Sequence, residues 1–191
     1  AGAALSQHPL VDKIAFTGST EIGKKVMQDA SQTLKKVTLE LGGKSANIVF
    51  EDADLSQAVD AALYAAFFHS GQCCTAGTRL LVQKGIYDQF IAELSEKAQR
   101  MQLGDPADKA SDMGPLVSKK QLERVLHYIA AGKKEGATCL VGGAQATSEA
   151  LAKGYYVQPT IFTNVKNSMT IAQEEIFGPV LCVIPFETTE E

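Results

Sequence analysis

Leu55, Ala58, Val59, Ala62, Leu63, Ala66 and Phe67 recur at i, i+3, i+4 and i+7, the period that lays apolar side chains along one helix face. Asp54 precedes the run with Gln57 three residues on, a capping-box pair for the helix start. Tyr87, Phe90, Ile91, Leu94 and Met101 predict a second amphipathic helix, stopped before Gly104-Asp105-Pro106. Leu122, Val125, Leu126 and Ile129 predict a third, with Ser118 and Gln121 as its capping pair and Gly136 at its end. Elsewhere the pattern shortens to that of strands. Lys13–Thr17 reads as a short buried strand, and Lys36–Leu41 alternates and is rich in β-formers. Ala46–Phe50, Leu80–Gln83, Thr138–Val141 and Leu181–Ile184 read the same way. Tyr155–Phe162 is extended, with Pro159 confining it to an edge or a bend.

Strands and helices alternating at this spacing predict an α/β fold with a largely parallel sheet. Gly42-Gly43 interrupts the second strand and sets the domain boundary, giving residues 1–42 and 43–191. Gln145–Lys153 is a polar loop, and the chain has no internal repeat or low-complexity segment. The strand Lys13–Thr17 runs into Gly18-Ser19-Thr20-Glu21-Ile22-Gly23, where Ser19 or Thr20 can cap a helix continuing through Met27. Strand, glycine turn and helix N-terminus together form an anion site, because unpaired N–H groups and the helix dipole converge there. The spacing is G-x-x-x-x-G rather than G-x-G-x-x-G, so capping a helix accounts for it equally well.

Of the 191 residues, 45% are hydrophobic and 21% charged, an ordinary globular composition for one or two domains. A net charge of −4 without a basic run argues against nucleic acid as a partner. No apolar stretch approaches the ~18 residues of a membrane span, and no signal peptide opens the chain. The four cysteines, Cys73, Cys74, Cys139 and Cys182, make no C-x-x-C spacing, and adjacent cysteines bridge each other only with strain. A reduced, cytoplasmic setting is expected. The beginning at Ala1-Gly2-Ala3-Ala4-Leu5 and the end just after an apolar run read as cuts in a longer protein.

Gly71-Gln72-Cys73-Cys74-Thr75-Ala76-Gly77 brings two thiols to the end of the first helix, beside a flexible backbone. Taken alone, the pair reads either as two small buried hydrophobes or as a reactive centre. Leu39-Glu40-Leu41-Gly42-Gly43-Lys44-Ser45 places a carboxylate at a strand end, before two glycines that let backbone approach a ligand. Together the two stretches resemble the aldehyde dehydrogenase superfamily, in which E-L-G-G-K carries a general-base glutamate and G-Q-x-C the nucleophilic cysteine. Glu40 and Cys74 stand 34 positions apart, the family's separation. The resemblance runs over essentially the whole chain, which is well under half of a typical family member. It implies an aldehyde-dehydrogenase-like α/β fold, a Rossmann-type parallel-sheet remnant followed by a C-terminally incomplete α/β catalytic domain.

The resemblance further implies NAD or NADP as cofactor, an aldehyde as substrate, and a homo-oligomer (dimer or tetramer) for the complete protein. Cofactor-binding positions carried over are Gly18, Ser19, Ile22, Gly23, Leu41, Glu175 and Phe177, with the Glu175 carboxylate on the nicotinamide ribose. Read without the family, Glu174-Glu175-Ile176-Phe177-Gly178-Pro179 is a helix end stopped by Gly-Pro. Cys74 is the expected nucleophile, with Cys73 pointing elsewhere, and Glu40 in a partly apolar pocket the expected base. The backbone N–H of Cys74 is an expected oxyanion donor; the family's side-chain amide donor lies upstream of Ala1. The isolated chain is expected to be inactive as a dehydrogenase. Two rival readings stand beside this one. One is a non-catalytic or esterase-only module. The other is a thiol hydrolase using His69, five positions before Cys74. No His/Cys/carboxylate set has the spacing of metal ligands.

Overall fold

Asp54 accepts a hydrogen bond from the Gln57 N–H at 3.0 Å and so starts helix α3, Leu55–Phe67. The same device opens α2 (Thr20–Ser31), where the Ser19 hydroxyl accepts from the Ile22 N–H at 3.3 Å. It also opens α5 (Lys119–Lys134), where Ser118 accepts from the Gln121 N–H at 3.2 Å. The remaining helices are α1 (Gly2–Gln7), α4 (Tyr87–Arg100) and the single turn α6 (Thr170–Gln173). Strands are β1 (Lys13–Thr17), β2 (Lys36–Glu40), β3 (Ala46–Val49), β4 (Arg79–Gln83), β5 (Thr138–Val141), β6 (Thr160–Thr163) and β7 (Val180–Phe186). The computed structural model describes residues 1–191, which divide into two units, Ala1–Gly43 and Lys44–Glu191.

In the first unit β1 and β2 run parallel, with Lys13 opposite Lys36 and Thr17 opposite Glu40. Helix α2 is the crossover that a parallel pair requires. Ser6 Oγ donates to Asp29 Oδ2 at 2.6 Å, tying α1 to α2. Both strands alternate between exposed and half-buried residues.

The second unit has a five-stranded sheet in the order β3-β4-β7-β6-β5, parallel throughout except for antiparallel β5 at one edge. Its core lies on both faces. Helices α3 and α4 bring Val59, Ala66, Phe67, Phe90 and Leu94 against Leu80, Val82, Leu181 and Val183. On the other face α5 and α6 bring Val125, Ile129 and Ile171 against Phe162, Val180 and Cys182. Central strand β7 therefore sends alternate residues into the two cores, which is why it reads as an unbroken apolar run.

Two expectations are corrected. The extended stretch Tyr155–Phe162 yields a strand only from Thr160, and of the two places Pro159 allowed, an edge or a bend, the edge is excluded, since β6 is interior between β7 and β5. Pro159 lies just before the strand, so its missing N–H removes no ladder bond. The Glu174–Gly178 run is not a helix end either. Helix α6 stops at Gln173, Glu174 is already extended, and Phe177 adopts a positive φ of 59°.

Candidate active site

The thiol loop grows from the end of α3. After Phe67 the chain makes one 3₁₀ turn, Phe68–Gly71, in which His69 (φ 50°), Ser70 (φ 58°) and Gly71 (φ 69°) are all left-handed. For the two side-chain-bearing residues this costs on the order of 1–3 kcal/mol each and persists only where surroundings enforce it. The enforcing contacts are present. Ser70 Oγ donates to the Gly114 carbonyl at 2.9 Å. A Cβ on Gly71 would collide with the carbonyl of Gly178, so backbone lies directly on backbone there. Gln72 Oε1 accepts from the Val117 N–H at 3.0 Å while its Nε2 donates to the His69 carbonyl at 3.2 Å.

Beyond Gln72 the Ala76 N–H donates to the Cys73 carbonyl at 3.1 Å, closing a turn with Cys74 and Thr75 at its tip. The Gly77 N–H donates back to Ala65 of α3 at 3.1 Å. All four cysteines are free, and Cys74 is the exposed one. Cys73 is half-buried, its sulfur 3.3 Å from the Thr75 hydroxyl. That hydrogen bond holds the Cys73 thiol below its ordinary pKa. Cys182 is the opposite case. Burial pushes its thiol up to about 11, and it donates to the Ile171 carbonyl at 3.2 Å. His69 is exposed and stacks edge-on against Phe68, ring centroids 4.1 Å apart; it bonds neither thiol through its ring.

The segment carrying Glu175 and Phe177 belongs to the same unit as the thiols and meets them through the Gly71–Gly178 contact. It is gripped from α5. Gln121 Nε2 donates to the carbonyls of Ile176 (3.0 Å) and Phe177 (2.7 Å), and Arg124 Nη2 to that of Glu175 (2.6 Å). Tyr128 Oη donates to Glu174 Oε2 at 2.6 Å. Sequence reasoning read Gln121 as a capping residue and passed over Arg124 and Tyr128. The signal was their spacing of three and four along α5, a polar stripe beside the apolar one.

A cleft of about 700 Å³ is walled by Tyr64, Phe67, Phe68, Gln72, Met101 and Met113; neither thiol lines it. No cluster of His, Cys, Asp and Glu is arranged to hold a metal ion.

The remaining predicted residues lie in the first unit and cluster at one end of its sheet. The Gly18 N–H donates to the Glu40 carbonyl at 3.0 Å, and the Gly23 N–H to that of Ser19 at 2.9 Å. Gly23 faces Leu41: an added Cβ would stand 2.7 Å from the leucine Cδ2, so Gly23 is what lets α2 settle on the residue after β2. Glu40 is exposed at the strand end rather than set in a partly apolar pocket, because β2 leaves alternate residues uncovered.

A family model described as aldehyde dehydrogenase family matches residues 1–191. An aldehyde dehydrogenase of Emericella nidulans is 52% identical over all of the chain and 38% of its own length. Among solved structures, the NAD+ complex of an aldehyde dehydrogenase from Bacillus cereus is 51% identical, with a TM-score of 0.95 over 100% of this chain and 38% of that one. A betaine aldehyde dehydrogenase from Staphylococcus aureus in complex with NAD+ is 43% identical, with a TM-score of 0.98 over the same shares. The chain thus spans 38% of the length of these relatives.

Proposed function

The chain belongs to the aldehyde dehydrogenase family, and from that membership we propose that it carries the thiol centre of an enzyme oxidising an aldehyde to a carboxylic acid. The observation that carries the reading is Cys74, an exposed thiol at the tip of a turn whose backbone is locked in place on both sides. Cys74 Sγ, as thiolate, adds to the aldehyde carbonyl carbon, and the same sulfur holds the acyl group as a thioester until water cleaves it. Its backbone N–H is the chain's own donor to the oxyanion. Glu40 takes a proton from the attacking water.

Residues 1–42 form the end of a cofactor domain and 43–191 the catalytic domain in this reading. The chain's residues fit a dinucleotide. The N-terminus of α2 leaves first-turn N–H groups without helical acceptors, and the Glu175 carboxylate takes part in no salt bridge. Gly18, Ser19, Ile22, Gly23 and Leu41 would hold its phosphate side, Glu175 and Phe177 its nicotinamide side. NAD+ is favoured by the relatives' complexes; NADP+ is the other candidate. When bound it supplies the acceptor for the aldehyde hydride. The complete protein is proposed to be a homo-oligomer. The four cysteines of this chain are free, in keeping with a cytoplasmic setting, although curated relatives include mitochondrial enzymes. No helix is long and apolar enough to cross a membrane.

One observation favours a second assignment of the nucleophile, since the hydrogen bond that favours a thiolate falls on Cys73. Exposure outweighs it, because the nucleophile must reach the carbonyl. In the complete protein Cys74→Ala is expected to abolish aldehyde-dependent reduction of cofactor, while Cys73→Ala keeps most of it. The reverse pattern would assign the chemistry to Cys73.

A further inference from the structure

Aldehyde oxidation at Cys74 leaves three thiols unused. Cys182 is sealed in the core, its pKa pushed up to about 11 and its proton donated to the Ile171 carbonyl. Burial also pushes up the thiol of Cys139 on edge strand β5. Cys73 is the different one. It is half-buried, its Sγ lies 3.3 Å from the Thr75 hydroxyl, and that contact holds the thiol below its ordinary pKa. The turn closed by the Ala76 N–H on the Cys73 carbonyl, at 3.1 Å, carries the exposed Cys74 at its tip. Both thiols therefore belong to one turn, with a single peptide bond between their residues. A nucleophilic thiol joined in this way to a second, exposed one has a chemistry that neither aldehyde oxidation nor packing uses.

The Cys73–Cys74 peptide is trans. Across such a bond the α-carbons stand about 3.8 Å apart, short of the roughly 4.4–6.8 Å that an unstrained disulfide spans. A bridge between these two is strained, and strained or exposed disulfides are the readily reduced ones. We propose that Cys73 is the resolving thiol for an oxidative modification of Cys74, capturing it as a reversible Cys73–Cys74 disulfide. The oxidant is a peroxide. The Cys74 thiolate attacks one peroxide oxygen, the O–O bond breaks, and hydroxide leaves as the sulfur is oxidised to sulfenic acid. The Cys73 thiolate then attacks the Cys74 sulfur. The S–S bond forms, the S–O bond breaks, and the departing hydroxide takes up a proton as water. An external dithiol reopens the bridge by exchange and returns both cysteines. Without Cys73, a second peroxide carries Cys74 on to sulfinic acid, which a thiol does not reduce. Thr75 sets the pace of the capture, since its hydroxyl favours the Cys73 thiolate. The effect on aldehyde oxidation rests on the reading that Cys74 is its nucleophile.

The test treats the complete protein with hydrogen peroxide, as parent, Cys73→Ala, Cys74→Ala, Thr75→Val and Thr75→Ser. Each is then denatured in iodoacetamide for peptide mass spectrometry. In the parent, the peptide carrying both cysteines is expected to lose two hydrogens and to be alkylated at neither sulfur. Dithiothreitol added before alkylation restores both thiols and most of the aldehyde-dependent cofactor reduction. In Cys73→Ala the same dose leaves Cys74 as sulfinic acid, and dithiothreitol returns about a tenth of the starting rate or less. If alanine at this position prevents folding, Cys73→Ser replaces it with the same expectations. Thr75→Val removes the hydroxyl and raises the Cys73 pKa, so its disulfide forms more slowly at neutral pH and catches up in alkaline buffer. Thr75→Ser keeps the parental rate. A parental Cys74 sulfinic acid beside a free Cys73 overturns the proposal. So does unoxidised Cys74, a bridge from it to Cys139 or Cys182, or a Cys73→Ala variant restored as fully as the parent. Loss of two hydrogens with Cys73 still alkylated overturns it as well, because Cys74 has then closed on a backbone nitrogen. Should Cys74→Ala keep aldehyde oxidation, the nucleophile reading fails; the peptide masses still decide whether the bridge forms.

Discussion

Gly71 is where one missing atom matters most. Its φ of 69° is in the region side chains rarely adopt, and a Cβ there would drive into the Gly178 carbonyl. Gly71→Ala must strain the backbone and also push apart the loop carrying Cys74 and the loop carrying Glu175. A loss of about 1–3 kcal/mol is expected, read as a lower urea midpoint at unchanged slope. Slower alkylation of Cys74 by iodoacetamide should accompany it, because the turn loses its anchor. Parental stability and thiol reactivity in the alanine variant would show that the backbone contact is dispensable.

At the scale of the element, α5 works with two faces. Leu122, Val125 and Ile129 are buried against the sheet. Gln121, Arg124 and Tyr128 read the carbonyls and carboxylate of the loop before β7. Arg124 also lies over the Tyr128 ring, 5.0 Å from its centroid. Arg124→Ala frees the Glu175 carbonyl and removes that stacking. Since the arginine is solvent-exposed, the cost should be modest, about 1 kcal/mol, but the Glu175 loop should loosen. Hydrogen exchange of residues 174–178 is expected to quicken in Arg124→Ala. Lys119→Ala removes only an exposed pair with Glu123 at 3.9 Å and should stay within about 0.5 kcal/mol of the parent.

For the whole molecule, the two units differ in how well their sheets are covered. Strand β7 is buried over most of its length between two cores. Strands β1 and β2 form a two-stranded parallel pair with alternate residues exposed, whereas parallel strands ordinarily need cover on both faces. Amides of β1 and β2 in the 191-residue chain should therefore exchange with solvent orders of magnitude faster than those of β7. Equal protection, measured by mass spectrometry, would mean that the first unit is as stable as the second.

Every helix with a full apolar stripe was legible from local chemistry. Asp54, Ser118 and Ser19 cap where their side chains reach a nearby N–H, and Val59 or Leu94 recurs at the helical period whatever lies across from it. The two stretches proposed for the site, around Glu40 and Cys74, were picked out through their resemblance to a family; taken alone, the cysteine pair reads equally as two small buried hydrophobes. What the sequence left open depends on partners distant along the chain. Pro159 allowed an edge or a bend, and β6 proves interior because β7 and β5 arrive from elsewhere in the chain to flank it. The left-handed run His69-Ser70-Gly71 is imposed by Gly114 and Gly178. Arg124 was one polar residue among many until the Glu175 carbonyl came within 2.6 Å of it. Lys44 looked like the tail of a motif, and only the folded sheet buries its ammonium away from water. Periodicity and capping act within a few residues and can be read along the chain; burial and pairing of charges exist only once distant segments meet.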